Sequence, residues 1–303
     1  MTTELLPVPD MTLAAELFTQ LQGMSFDGKG ITRDAYGPGE QRAHELVKHL
    51  AEVAGAALNL YIILPGQDRQ ASKIVVGSHL DSVPAGGNYD GAAGVLAGLA
   101  IIFGWKNAGR VPPCDLMVIA IRAEESAWFP ISYLGSKAVL GELNPTDLTI
   151  PRKDTGIALR QHMIDCGGQP DKLINDPPLF HRTDFRAFLE IHIEQGPILE
   201  SAGIPVGIVT GICGSLRYRF ARTYGQYAHS GACPSYCRQD AVIATAELVS
   251  EMHRYWHAME KEGHELTVTF GRFFTDAVDA DMSKVSGLVD FSIDFRSRDP
   301  ETL

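Results

Sequence analysis

The 303-residue chain is 45% hydrophobic with a net charge of −11 at pH 7, enough apolar content to core one large or two ordinary domains. No Lys/Arg cluster marks a basic face, so the electrostatic footprint of phosphate-backbone binding is missing and no nucleic-acid partner is expected. The opening Met1-Thr-Thr-Glu-Leu-Leu-Pro is no signal segment, and no stretch approaches the roughly 20 apolar residues of a spanning helix. With five scattered cysteines, Cys114, Cys166, Cys213, Cys233 and Cys237, a disulfide framework is not expected, and a cytoplasmic protein without a membrane partner is.

Leu13 to Leu21 and Gly39 to Ala54 carry apolar residues at helical spacing, the second after a Gly-Pro-Gly break, so two helices open the chain. Leu58-Asn-Leu-Tyr-Ile-Ile-Leu and Lys73-Ile-Val-Val-Gly-Ser read as strands, Gly91 to Phe103 as a small-residue helix lying close on a sheet, and Asp115 to Arg122 as a buried strand. That order is a β-α-β crossover of the parallel type. Residues 136 to 184 are irregular with helix fragments, and Ala187-Phe-Leu-Glu-Ile-His-Ile-Glu alternates, which predicts a strand with Glu190, His192 and Glu194 on one face.

After Gly196-Pro197 the texture changes. Val206 to Ile212, Leu216 to Gly225, Leu266 to Phe273 and Val289 to Arg296 are predicted strands, with a helix over Asp240 to Ala258. The expected class is therefore α/β: a catalytic domain over 1–208 with a mostly parallel or mixed sheet flanked by helices, and a smaller α+β sandwich over 209–303. The last residues, Asp299-Pro-Glu-Thr-Leu303, read as an N-cap, an N1 proline and an acidic first turn. On that reading the second domain is truncated.

Chemistry concentrates at strand ends. His79, Asp81 and Asp90 follow one strand, Glu124-Glu125 another, and His192 lies on a third. Imidazoles and carboxylates suit zinc, manganese or cobalt, and open α/β sheets bind ligands at the carboxyl ends of their strands. Asp90 is placed to bridge two cations, and Asp81 to hold the second nitrogen of His79. Neighbouring side chains in an extended segment point apart, so the Glu pair divides its work: Glu125 as metal ligand, Glu124 as general base. His44, His49, His162, His181, His253, His257 and His264 lack such company and read as solvated or capping residues. Gly-x-Gly-x-x-Gly and Walker spacings are absent around Gly86-Gly87 and Gly91 to Gly98.

The motifs Gly-Ser-His-Leu-Asp-Ser-Val-Pro with Gly-Gly-Asn-Tyr-Asp-Gly (77–91), Glu-Glu (124–125), Glu-Ile-His-Ile-Glu-Gln-Gly-Pro (190–197), Gly-Gln-Tyr-Ala-His-Ser-Gly (225–231) and Ile-Asp-Phe-Arg-Ser (293–297) resemble, in order, the hydantoinase/carbamoylase amidohydrolases. These include N-carbamoyl-L-amino-acid hydrolases, β-ureidopropionases and allantoate amidohydrolases, within the aminoacylase and carboxypeptidase clan of two-metal hydrolases. His192 carries the distinction, because peptidase branches usually have an acidic ligand there.

The resemblance implies two divalent ions, with His79, Asp90 and His192 on one and Asp90 and Glu125 on the other. It further implies Glu124 as base, Gln195 on the substrate, His229 reaching across a homodimer to the oxyanion, and Arg296 on the substrate carboxylate. The second domain is then a lid and dimerisation domain. The family's last ligand is a His in a C-terminal segment returning to the first domain, and this chain ends before such a segment.

This chain also has Ser126-Ala-Trp-Phe129 where the family has Gly-Ser-Arg-Phe, Ser283 for a carboxylate-binding Asn and Ser286 for a Pro. Three functions are compatible with these residues. They are hydrolysis of a linear-amide C–N bond in a small ureido or carbamoyl acid, a di-metal aminoacylase or dipeptidase, and an inactive remnant that binds metal or a partner subunit.

Overall fold

The computed structural model describes residues 5–50 and 58–303, and the chain divides into two compact units, Met1–Ile198 and Leu199–Leu303. In the first, helices α1 (Met11–Ser25) and α2 (Pro38–Lys48) precede strands β1 (Leu60–Leu64) and β2 (Lys73–His79). Helix α3 (Ala92–Asn107) and strand β3 (Leu116–Ile121) follow, then short helices α4 (Leu134–Val139), α5 (Leu159–Asp165) and α6 (Pro170–Asn175), and strand β4 (Phe185–Leu189). The last part of the second predicted helix, 51–54, lies outside the described residues.

The sheet order is β1-β3-β2-β4. Strand β2 runs parallel to β3 and β4, while β1 is antiparallel to β3, so the sheet is mixed. Alternation along β3 sends Val118 and Ala120 to a core with Leu17, Leu21, Val47, Leu96 and Leu99, and Met117, Ile119 and Ile121 to the opposite face with Tyr61, Val75 and Val139. Helix α3 lies close on the first face because it is glycine-rich there. A Cβ on Gly98 would stand 2.9 Å from Val118 Cγ2.

Strand β4 ends at Leu189, five residues short of the expected Glu194. Its register with β2 stops at Val76↔Leu189, and the chain then passes the start of α3, where a Cβ on Gly94 would stand 2.9 Å from the Ile191 oxygen. Gln195 takes a left-handed φ of 57°. His192 thus sits on a turn-bound segment rather than in a ladder.

The second unit opens with α7 (Ile198–Ser201), which straddles the division, and contains β5 (Gly214–Tyr224), β6 (Ala228–His229), α8 (Ala241–Lys261), β7 (Thr267–Thr275), β8 (Lys284–Val285) and β9 (Leu288–Ser297). Strands β5-β9-β7 form an antiparallel sheet and β6-β8 a small ribbon. Helix α8, N-capped by Asp240 onto the Val242 and Ile243 amides, packs Ala241 and Val242 on Val289 and Phe291. The predicted strand at Val206–Ile212 does not form. Its β-branched residues favour extension, but no described strand pairs with it, and Ile208 and Ile212 are each 91% exposed.

Candidate metal centre

The centre is assembled where β2 and β3 end. His79, the last residue of β2, is buried, and its Nδ1 donates to the main-chain oxygen of Asp81 at 3.0 Å. That bond leaves Nε2 aimed into the site. His192 repeats the device from another segment: its Nδ1 donates to the Ile193 oxygen at 2.9 Å. Its Nε2 then lies 3.1 Å from Asp90 Oδ1, with His79 Nε2 at 3.9 Å from the same atom. Asp90 Oδ2 accepts from Gln195 Nε2 at 2.8 Å. Asp90 Oδ1 is thus buried between the two imidazoles.

Glycine makes room for this arrangement. Gly91 has φ +65°, and a Cβ there would stand 2.5 Å from the His79 ring, so the residue after Asp90 needs both glycine's backbone freedom and its missing side chain.

The Glu pair is held by its backbone. Asp81, fully buried, accepts the Glu124 amide on Oδ1 and the Glu125 amide on Oδ2, each at 3.0 Å. Glu40 of α2, also fully buried, accepts the preceding amide of Ala123 at 2.7 Å and that of Tyr36 at 2.7 Å, and pairs with Arg122 at 3.2 Å. Two interior carboxylates thus hold three consecutive amides, with Ala123 at φ +50°. The short turn this enforces brings both Glu side chains beside His79 rather than splaying them to opposite faces. Glu124 Oε2 lies 3.9 Å from His79 Nε2.

Arg33 braces the other side. Its guanidinium is fully buried and donates to the oxygens of Leu80 (2.6 Å), Asn88 and Asp90 (both 3.4 Å), tying the start of the loop to its end. Burying a charge is costly unless its hydrogen bonds are met, and here they are. Arg33, Glu40 and Arg122 gave no signal in the sequence, because a single charge in a helix or at a strand end looks the same whether solvated or buried. Glu190, which accepts from Ser78 Oγ, was visible only as a polar residue on the His192 face.

The electrostatics follow from burial and crowding. Hydrogen bonding to His192 holds the Asp90 carboxyl below its usual range despite its burial. The same bond to Asp90 lifts His192 to about 9. For His79, burial pulls downward, but the hydrogen bond and charge of Asp81, with Glu124 and Asp90, prevail and lift it to about 9. Burial raises Glu124, and raises Glu125 to about 7, with neighbouring acids adding to both. Crowded acids and proton-holding imidazoles whose Nε2 atoms face one carboxylate oxygen form a donor set suited to a cation. Two clusters have ligand atoms mutually within 4.8 Å: His79, Asp90 and His192, and His79, Glu124 and Glu125. The clusters share His79, whereas the sequence suggested sharing through Asp90.

Trp128, where the family pattern has Arg, donates from Nε1 to the Ser82 oxygen at 2.8 Å and lies under the Arg152 guanidinium at 4.7 Å. His229 and Arg296 belong to the second unit. His229 Nδ1 accepts from the Gly231 amide at 3.1 Å, and Arg296 Nε pairs with Asp294 at 2.9 Å on its own strand. Ser286 Oγ donates to the Leu288 oxygen, and the Ser283 oxygen accepts the Ser230 amide.

Residues 75–297 match the family model "Peptidase family M20/M25/M40". The chain is 39% identical over 227 residues to an N-carbamoyl-L-amino acid amidohydrolase of Geobacillus stearothermophilus, covering 73% of this chain and 54% of that one. It is 32% identical over 289 residues to an allantoate amidohydrolase of Bacillus subtilis (strain 168), covering 93% and 67%. Among solved structures, a hydantoinase/carbamoylase family amidase from Burkholderia ambifaria superposes with TM-score 0.79 at 29% identity, covering 99% of this chain and 72% of that one. The chain thus spans between about half and about seven-tenths of the length of these relatives. With the motifs in order, the sheet carrying them at its strand ends and a family model matched from β2 to β9, the chain belongs to the M20/M25/M40 peptidase family, in its hydantoinase/carbamoylase branch.

Proposed function

We propose that the protein hydrolyses a linear-amide C–N bond of a small N-carbamoyl or ureido acid. The observation that carries the reading is the convergence of the His79, Asp90 and His192 cluster with the Glu124–Glu125 pair, in a chain whose relatives bear the names N-carbamoyl-L-amino acid amidohydrolase and allantoate amidohydrolase. Two divalent cations, zinc, manganese or cobalt, fit the donor set. His79, Asp90 and His192 would hold one of them, and Glu125 would serve the other. When bound they polarise the substrate carbonyl and lower the pKa of water.

The chain's own residues do the rest. Glu124, whose carboxyl is raised by burial, takes a proton from the attacking water and returns it to the leaving nitrogen, because a base works best when its pKa lies near the working pH. Water oxygen bonds to the carbamoyl carbon, the C–N bond breaks, and the carbamic acid released decomposes to ammonia and carbon dioxide. Asp81 fixes both the His79 ring and the Glu124 amide. Gln195, within 2.8 Å of Asp90, borders the substrate. Arg296 receives the substrate carboxylate and His229 serves the oxyanion from a partner copy in a homodimer.

The test is a substrate panel with the cation-loaded protein. Ammonia release from an N-carbamoyl amino acid, β-ureidopropionate or allantoate is expected. Cleavage of a dipeptide or N-acyl amino acid with all three ureido acids untouched would instead make the protein an aminoacylase or dipeptidase.

A further inference from the structure

The geometry points to a second, separate transition-metal site on the outer face of α8, formed by His253 and His257 with Glu260 behind it. Residues four apart on a helix share a face, and two histidines at that spacing are a recurrent cation-holding pair. In this chain the two rings have turned their ligand atoms toward each other: His253 Nε2 and His257 Nε2 are 3.1 Å apart. Metal–nitrogen bonds of about 2.0–2.1 Å meeting at about 95–100° span that same distance. The two nitrogens are therefore already at a chelating separation, and a cation requires loss of the proton now shared between them and a turn of the two exposed rings so that both lone pairs meet on it.

The surroundings select the correct tautomer. His257 Nδ1 lies 3.1 Å from Glu260 Oε2. A carboxylate only accepts, so Nδ1 carries the hydrogen and Nε2 is left with its lone pair toward His253, the carboxylate–histidine pairing that orients a ligand ring and raises its basicity. Trp256 stacks on the His257 ring with an interplanar angle of 4° and meets His253 edge-on, which restrains both rings. The adjacent cation Arg254 is paired with Glu251.

The residue after His253 is Arg254 rather than Glu, so the pair lacks the neighbouring carboxylate of a hydrolytic helix motif, and its role is binding. With two protein nitrogens and the remaining positions open to water, it takes a borderline divalent cation, copper, nickel or zinc, in preference to magnesium or calcium. The site lies in the second unit and uses none of the residues of the M20 centre.

Copper(II) added to the full chain tests this, because a bound copper ion quenches a tryptophan stacked on its ligand. The expected result is a saturable loss of the Trp256 emission, taken as the difference between the native chain and W256F, that titrates as one ion beyond those of the M20 centre, is retained in H192Q and is abolished in H253Q and in H257Q. E260Q is expected to weaken it by about tenfold or more, the usual cost of removing such a supporting carboxylate. These positions are exposed, and circular dichroism of the variants checks that the helix persists. A saturable Trp256 component, taken as that same difference from W256F, that survives both histidine variants, or none in the native chain, overturns the site.

Discussion

The two units use the same side chains under opposite conditions. In the first, the Glu40–Arg122 pair is closed from water, its side chains 0% and 2% exposed at 3.2 Å. In the second, Arg222 and Asp290 approach more closely, at 2.6 Å, but stand 47% and 44% exposed. The shorter pair is the weaker one, since solvent screens it and each partner is fully hydrated when alone, whereas Arg122 without Glu40 is a stranded interior charge. Burial, more than distance, decides which charges hold the architecture, and the interior ones surround the centre.

The comparison is broken most sharply at Glu124. Glu124→Gln is expected to lower ureido-acid turnover by about 10²–10⁴-fold with an unchanged melting curve, whereas Glu260→Gln on α8 leaves turnover as it was. Steady-state ammonia release on the two variants checks both.

Next in size is the buried ion pair. Glu40→Ala is expected to cost about 3–5 kcal/mol of stability by urea denaturation, and to reduce turnover by loosening the 123–125 turn. Arg222→Ala is expected to leave the denaturation midpoint where it was. Equal midpoint shifts for the two variants would remove the contrast.

A core substitution in the first unit should fall close behind. Leu99→Ala removes a fully buried side chain from the face shared by α1, α3 and the sheet, at about 2–5 kcal/mol. Ile243→Ala on α8, where the side chain is 55% exposed, should be nearly silent in the same assay.

The pH dependence of the cation-free protein sharpens the contrast further. His79 and His192 are lifted to about 9 in the fold, above their unfolded value near 6.5. The stability they contribute is therefore complete below about pH 6.5 and lost as pH rises through about 9. Glu125, raised to about 7 by burial, acts in the same direction, because its ionisation above its unfolded value strains the fold. Thermal melts should fall across this window without cation and flatten when zinc replaces the protons. A cation-free melting temperature that rises from pH 6.5 to 9 would contradict the assignment.

Much of this was legible in the sequence, for reasons that vary by residue. Glycine-flanked Asp90 and strand-terminal His79 announce themselves because few residue types bind cations and strand ends are where α/β sheets place them. The continuous apolar run of β3 and the small residues of α3 made the sheet and its close helix legible. Arg33, Glu40 and Asn59, which accepts the Arg122 amide at 2.8 Å, were not legible, since burial of a polar side chain is a property of the assembled fold. The strand expected at Val206–Ile212 failed for the complementary reason: propensity describes a residue's preference, while a strand exists only where a neighbour pairs with it. His253 and His257 were read as solvated residues, although the helix predicted over Asp240 to Ala258 already set them one turn apart on a common face.

Zinc binding to the native chain and to Asp90→Asn, followed by equilibrium dialysis with copper quenching of Trp256 recorded on separate samples, probes the centre most directly. The expected result is that the substitution removes the tightest binding and leaves the α8 signal in place. Tight zinc binding by Asp90→Asn equal to that of the native chain would mean that His79, Asp90 and His192 do not form a metal centre.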